Sequence, residues 1–333
     1  MSVPLRRQVG AALLGLLAAT AAAANLLAVH PPSRQFSDFV YAPPMPPRIV
    51  DAAGRWRLPF VYPLRLENRL ERRFSEDRRT PMPLKLFADG ALVSVGGEAP
   101  APWFPLGTDA LGRDVLSRLV LGSRISLGVA FVAAAGALLL GAVAGAFSGF
   151  VGGYLDDGVM WLADFVIALP VIYVVLALRA AAPLVLTAPQ IFWIMVCVFI
   201  LAGWPVAART VRAVIAVERS REYAEAARSI GASSARLLLR HLLPAARSVL
   251  AAQATLLLPA FILAEATLSF VGLGFGEPIP SWGLMLQDAG RGRALADAPW
   301  LLSPAGAIAL LVLAVNLVAP SNTSEGALQG PSV

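Results

Sequence analysis

The sequence predicts an all-α membrane protein, a polytopic bundle of six transmembrane helices with a mixed extracytoplasmic insert between helices one and two. Three observations lead there. Hydrophobic residues make up 57% of the chain and charged residues only 14%, and the mean hydropathy is +0.69. A soluble domain of 333 residues needs far more charge to coat its surface. The apolar residues also fall into long blocks separated by polar segments, as in a chain solvated by lipid. Finally, Lys85 is the only lysine, so arginine supplies the basic excess, and it concentrates where a cytoplasmic loop is expected. No basic stripe is interleaved with aromatics, so nucleic acid is not an expected partner.

The first apolar block, Val9 to Val29, follows Arg6 and Arg7. At 1.5 Å per residue it is about 30 Å long, enough to cross the hydrocarbon core. It reads as an uncleaved helix with its N-terminus inside, so residues 1–29 form one unit; a signal peptide cleaved near Ala21–Ala24 is the competing reading. Residues 30–105 change character. Pro31, Pro32, Pro43, Pro44, Pro46 and Pro47 exclude a helix at their positions. Strand-like pieces at Trp56–Tyr62 and Leu84–Phe87 flank an Arg/Glu-rich stretch from Glu67 to Arg79. Long loops translocate largely regardless of charge, so this insert can lie outside.

Five more apolar runs follow, at about 125–150, 159–179, 188–207, 248–275 and 299–319, giving a core over 106–319. Gly136, Gly141, Gly145 and Gly149 leave a smooth face on the second helix for close packing. Pro170, Pro205 and Pro259 are expected to kink their helices. Counting from an inside N-terminus, the loop 208–247 is cytoplasmic. Its Arg209, Arg212, Arg219, Arg221, Arg228, Arg236, Arg240 and Arg247 stand against Glu218, Glu222 and Glu225, as the positive-inside rule requires. The stretch 320–333 turns polar and small, which reads as a disordered cytoplasmic tail.

Several chemistries have no residues to carry them. Cys197 is the only cysteine, and His30 and His241 are far apart, so an intrachain disulfide, a thiolate metal site and a Ser-His-Asp triad lack support. A nucleotide-driven pump needs a Gly-rich phosphate loop with a lysine, but Lys85 follows Pro81–Leu84 rather than glycines. No cofactor is expected on this chain, and any ATP energy must come from another.

Within the loop, Glu222 to Ile230 is a good helix former that Gly231 ends in a left-handed conformation. Ser233 or Ser234 caps a second helix, Ala235 to Leu243, which Pro244 terminates or kinks. The residues alone leave two readings open: a rigid knob that transmits a partner's motion, or a helix pair lying on the membrane surface. The series Glu225-Ala226-Ala227, Gly231 and Leu243-Pro244 resembles the signature loop of ABC-transporter permeases, with His241 where the general pattern has isoleucine. Three further stretches resemble the C-type permease subunit of the dipeptide/oligopeptide branch. They are Leu106–Arg118 with Gly122–Leu127, Ala264–Gly274, and Pro280–Gly283; with the loop, the resemblance covers about 103–317. The tail departs from that family, whose members continue with Gly-Asp-Gly.

The resemblance implies a binding-protein-dependent permease in a bacterial inner membrane, multi-pass, with both termini cytoplasmic. Its implied partners are a homologous second permease, two cytoplasmic ATP-binding subunits that use ATP and Mg, and an extracytoplasmic solute-binding protein. It makes Glu222, Glu225, Ala226, Ala227, Gly231, Leu243 and Pro244 the ATPase-coupling residues. Two other groups stand out on chemistry. Asp109/Arg113 and Asp114/Arg118 are each four apart, so on an interfacial amphipathic helix they pair along one exposed face; as a gate or docking surface they are the sharper alternative. Glu265 lies deep in the fifth run, where an ionised carboxylate is costly, and is either a pathway residue or a packing residue. Asp164 and Arg179 read as snorkelling interface residues. The competing class is an ion-coupled secondary transporter working without an ATPase, which needs more intramembrane acids than Glu265 alone.

Overall fold

A computed structural model describes residues 3–69, 71–88, 91–96, 101–181, 186–291 and 297–319; the expected tail over 320–333 lies outside them. The chain opens with helix α1, Val3–Ala22, and a single turn α2, Ala24–Leu27. Six strands follow: β1 Arg48–Val50, β2 Trp56–Val61, β3 Leu64–Asn68, β4 Arg73–Glu76, β5 Met82–Ala88 and β6 Ala91–Val95. The remaining helices are α3 Val115–Val151, α4 Gly153–Ala168, α5 Val171–Ala181, α6 Ala188–Arg219, α7 Glu222–Ser229, α8 Ser234–Leu237, α9 Arg247–Phe270, α10 Trp282–Ala289 and α11 Ser303–Val318.

Among the described residues, four helical stretches are long and apolar enough to cross a membrane, or five if the bent pair α4–α5 is one span. These account for up to five of the six expected spans. Helix α1 is not among them: Arg6, Arg7 and Gln8 share its first turns, and it ends at Ala22, before the apolar run does. The third expected span is the broken one, bent by 79° between Ala168 and Val171. Pro170 sits in that break, as its missing N–H and fixed φ require. The helices carrying Pro205 and Pro259 run on through them.

The bundle is organised around α3, whose 37 residues reach about 55 Å, well beyond the hydrocarbon thickness. Its largest neighbour is α6. The predicted smooth face is the contact: a Cβ on Gly141 would sit 2.8 Å from the Trp204 carbonyl oxygen, and one on Gly149 2.6 Å from that of Arg212. Only glycine allows backbones this close. Helix α1 runs along α11, with Gly10 against Ala314 and Arg6 donating to the Asn316 carbonyl at 2.6 Å.

The strands between α2 and α3 form a four-stranded antiparallel sheet in the order β1-β2-β5-β6 and a separate β3-β4 hairpin. Trp56–Val61 and Met82–Ala88 fall on the strand-like pieces of the sequence; β3 and β4 lie between them, β3 ending in the Arg/Glu-rich stretch and β4 inside it. The hairpin's arginines are balanced locally, as in Arg65–Asp77 and Arg73–Glu71. A small core of Ala42, Met45, Val61, Met82, Trp103 and Phe104 holds the insert together.

Candidate functional site

Three polar or projecting features distinguish the bundle. At one end, around the start of α3, residues 107–114 form a turn rather than the expected amphipathic helix, closed by a bridge between Thr108 and Asp114. Asp109 makes the turn: its Oδ1 accepts from the backbone N–H groups of Leu111 and Arg113, both at 2.9 Å. The Asp109–Arg113 pair does form, at 2.6 Å, but across the turn and buried. The Asp114–Arg118 pair does not. Asp114 is instead the N-cap of α3, accepting from the Ser117 N–H at 3.0 Å and from its hydroxyl. Ser117 in turn accepts from the backbone N–H groups of Val29 and His30, stitching the insert's start to α3.

Arg118 turns to a carboxylate that lies 159 residues away, Glu277 at 3.0 Å. Arg113 joins Glu277 at 2.6 Å and Asp288 at 3.0 Å. The result is two guanidinium groups, 3% and 1% exposed, set among Asp109, Glu277 and Asp288. Surface-pair energetics therefore do not apply here. Burial raises the cost of each charge, and the pairing offsets it. Burial pushes the Glu277 carboxyl up, but Arg118 and Arg113 outweigh it and hold it below the ordinary value. At Asp288 burial wins and the carboxyl is raised. Asp114 is pushed up to about 6, by burial first and then by Asp109, against the hydrogen bonds from Ser117. Its Oδ1 is buried without a hydrogen-bond partner among the described residues.

This shift fixes a sign. The folded chain binds the Asp114 proton more tightly than the unfolded chain, so stability falls as pH rises from about 4 to about 6. Glu277, held low, contributes the opposite slope: its stabilisation is present above its unfolded value and is lost as pH falls below it. Asp114→Asn keeps a good N-cap and removes the Asp114 part. Its melting temperature should change less between about pH 4.5 and about pH 7 than that of the unsubstituted chain, as read by thermal unfolding in detergent.

The second feature is Glu265, on α9 and fully buried. Its carboxylate accepts from Ser126 Oγ on α3 and Ser269 Oγ on α9, both at 2.8 Å, and from the Ser281 hydroxyl at the start of α10. Ser126 Oγ accepts from the Trp282 N–H at 3.1 Å and Ser281 Oγ from the Leu284 N–H at 3.2 Å. Those two hydroxyls have their lone pairs engaged by backbone and their protons aimed at Glu265. An open apolar groove of about 780 Å³ runs nearby between α9 and α11, lined by Leu263, Thr267, Phe270, Ile308 and Val312. Glu265 is not part of its wall.

The third feature lies at the opposite end of α3. Helix α6 continues through the first arginines of the expected loop and ends only at Arg219, so the loop begins there and not at 208. Helix α7 follows, and Gly231, at φ +85°, ends it with Ala232 N–H bonded back to the Ala227 carbonyl. Ser233 caps the next helix through the Arg236 N–H. That helix is not the separate one expected over Ala235–Leu243. Helix α8, a π turn at Leu238–Leu242 and a 3₁₀ turn at Leu243–Ala246 lead without a break into α9, a continuous rod from Ser234 to Phe270. Pro244 does not stop it: the switch from π to 3₁₀ spacing accommodates the ring and the missing N–H.

The motif residues divide by face. Ala227, with Ala224, is buried against Val211, Ile215 and Leu242, tying α7 to the ends of α3 and α6. Leu243 and Pro244 are half-buried, whereas Glu222, Glu225, Ala226 and Gly231 are exposed. Beside them Ile230 is 87% exposed, an apolar residue without a cover. Arg228 donates to the Arg219 carbonyl at 2.9 Å, closing the end of α6.

Sequence reasoning missed the polar link just above this element. Asp156 on α4 accepts from Arg212 on α6, at 2.5 Å through each of two nitrogens, and from Ser148 on α3. It joins three helices where their small faces meet. Nothing local marks Asp156, because its partner is 56 residues away. Asp164 is not a lone snorkelling residue: it pairs with Arg209. The Arg179 side chain lies outside the described ones.

Residues 137–321, more than half of the chain, match the family described as the binding-protein-dependent transport system inner membrane component. The chain belongs to this family. The match takes in Gly141 to Gly149 of α3, the Asp156 link, α7 and Glu265, while Ser126 lies before it. Over 217 residues the permease is 36% identical to the oligopeptide transport system permease protein OppC of Bacillus subtilis (strain 168), covering 65% of this chain and 68% of that protein. It is 40% identical over 217 residues to a putative peptide permease protein of Brucella suis biovar 1, covering 65% and 69%. Identity to the di/tripeptide transport system permease protein DppC of Pseudomonas aeruginosa is 36% over 224 residues, covering 67% and 70%.

Proposed function

We propose that this chain is the permease subunit of an ATP-driven peptide importer, supplying half of the translocation pathway and pairing with a homologous second permease for the other half. Two cytoplasmic ATPases that use ATP and Mg act on the pair, and an extracytoplasmic binding protein delivers solute. The observation that carries the reading is α7: a short helix, rooted by Ala224 and Ala227, that presents Glu222, Glu225, Ala226 and Ile230 outward. Because its buried side packs on the ends of α3 and α6, a push on α7 becomes a tilt of the longest helices. ATP binding closes the ATPases and favours the outward-open pathway; hydrolysis restores the inward one.

Contacts between helix ends support an orientation. Arg124 near the start of α3 caps the end of α1 through the Ala21 and Ala22 carbonyls, whereas Arg219 at the end of α6 reaches Val151 at the end of α3. The insert over 30–105 and α7 thus lie at opposite ends of α3. With α7 cytoplasmic, the insert is extracytoplasmic, and α1, which runs beside α11 with Arg6 at Asn316, is read as the sixth crossing, so that both termini are cytoplasmic. Glu265 acts in packing: it is enclosed and holds α3, α9 and α10 together.

The test is peptide uptake into proteoliposomes holding the co-expressed permease and ATPase chains. Uptake should require ATP and the ATPases, and Ile230→Asp should lower it by about tenfold or more, the loss that one interface anchor carries. Uptake by this chain alone on an ion gradient would sink the proposal.

A further inference from the structure

The sheet of the insert carries apolar residues that its own core does not use. Phe60 opposes Pro83, and both strands run on from that pair toward the same end of the sheet. Four residues further on, about 13 Å away, stand Trp56 on β2 and Phe87 on β5. Trp56, Leu58, Leu86 and Phe87 are 78%, 82%, 69% and 82% exposed. Phe87 also holds φ +54°, a conformation that a bulky side chain adopts at a cost. Arg55, Arg57 and Lys85 alternate with them; Asp51 engages both arginines, and Asp89, beyond Phe87, lies outside the described residues.

Where this end lies is set by the edge strand. β6 packs on α2, the turn that prolongs α1, and Arg124 of α3 binds that turn through Asn25. α1 and α2 expose their own leucines here, Leu16 and Leu26. The sheet therefore lies beside the end of the bundle, continuous with an apolar surface, and its free end is within one strand length of it. Large apolar side chains ringed by arginine and lysine are the composition of a membrane–water interface anchor. From this geometry we infer that the free end of the sheet, Trp56, Leu58, Leu86 and Phe87, inserts into the headgroup region of the bilayer and rests the insert on the lipid surface. This rests on the membrane reading of the bundle, and not on which solute crosses it or which side the insert faces.

The experiment places a fluorophore on the patch. Cys197 is the only cysteine, so Leu58→Cys and Phe87→Cys, each in a Cys197→Ser chain, give single labels at exposed positions. The labelled full chain is put into nanodiscs of phosphatidylethanolamine and phosphatidylglycerol with or without headgroup-region nitroxide lipid. Nitroxide lipid should quench both labels at least about twofold, and aqueous iodide should quench them weakly. Strong iodide quenching without lipid quenching would show a patch in water and overturn the inference. Labels reached by neither quencher would show a protein cover, and overturn it too. Failure of ATP-dependent uptake would leave this result untouched, so the two readings fail separately.

Discussion

Arg118→Met should destabilise the chain by about 3 kcal/mol, near the low end for breaking a buried ion pair. The side chain is 1% exposed and threads between α3, the Asp109 turn and the segment that carries Glu277. Methionine fills much of its volume but removes the charge, so the cost is chiefly electrostatic. The low end applies because Glu277 is 41% exposed and keeps Arg113, so it is not stranded completely. Thermal unfolding in detergent reads the loss. The double variant Arg118→Met/Glu277→Gln should recover part of it, since the orphaned carboxylate is then gone. If the two single effects simply add, the pair is not coupled and the buried cluster is not what joins these segments.

Glu265→Ala should cost about 2–4 kcal/mol, combining a cavity at a close-packed crossing with hydroxyls left without their acceptor. Glu265→Gln should cost about 1 kcal/mol, because the amide oxygen still accepts while its nitrogen faces hydroxyl protons it cannot satisfy. The decisive readout is uptake divided by the amount of assembled complex. A packing role predicts that Glu265→Gln leaves this ratio near the unsubstituted value while lowering the melting temperature. A loss of uptake at unchanged assembly and stability would return Glu265 to the pathway.

Both residues show how far local sequence reaches. Glu265 stands out because a carboxylate inside an apolar run is expensive wherever that run folds. Its role did not, because Ser126 and Ser281 come from other elements. Asp109 and Arg113 also stood out, and their pairing holds, but on a turn whose shape their i,i+4 spacing does not encode. For Asp114 and Arg118 the same spacing suggests a pair that the structure lacks, since an aspartate just before a helix is worth more as its cap. Glu277 and Asp288 carry no local mark, and they decide where the two arginines go.

The sequence by itself determined the membrane class, the small face of α3, the break at Pro170, α7 with its glycine stop, and the serine cap of α8. Each follows from composition, from short-range periodicity, or from a backbone preference that a residue expresses in any fold. Only the tertiary structure decided which charges meet, how far α6 and the Ser234–Phe270 rod extend beyond their apolar runs, and that α7 and the insert stand at opposite ends of one long helix. Those are properties of pairs of segments far apart in the chain. A buried charge can tolerate its position only once a distant partner has arrived, and no window of neighbouring residues contains both.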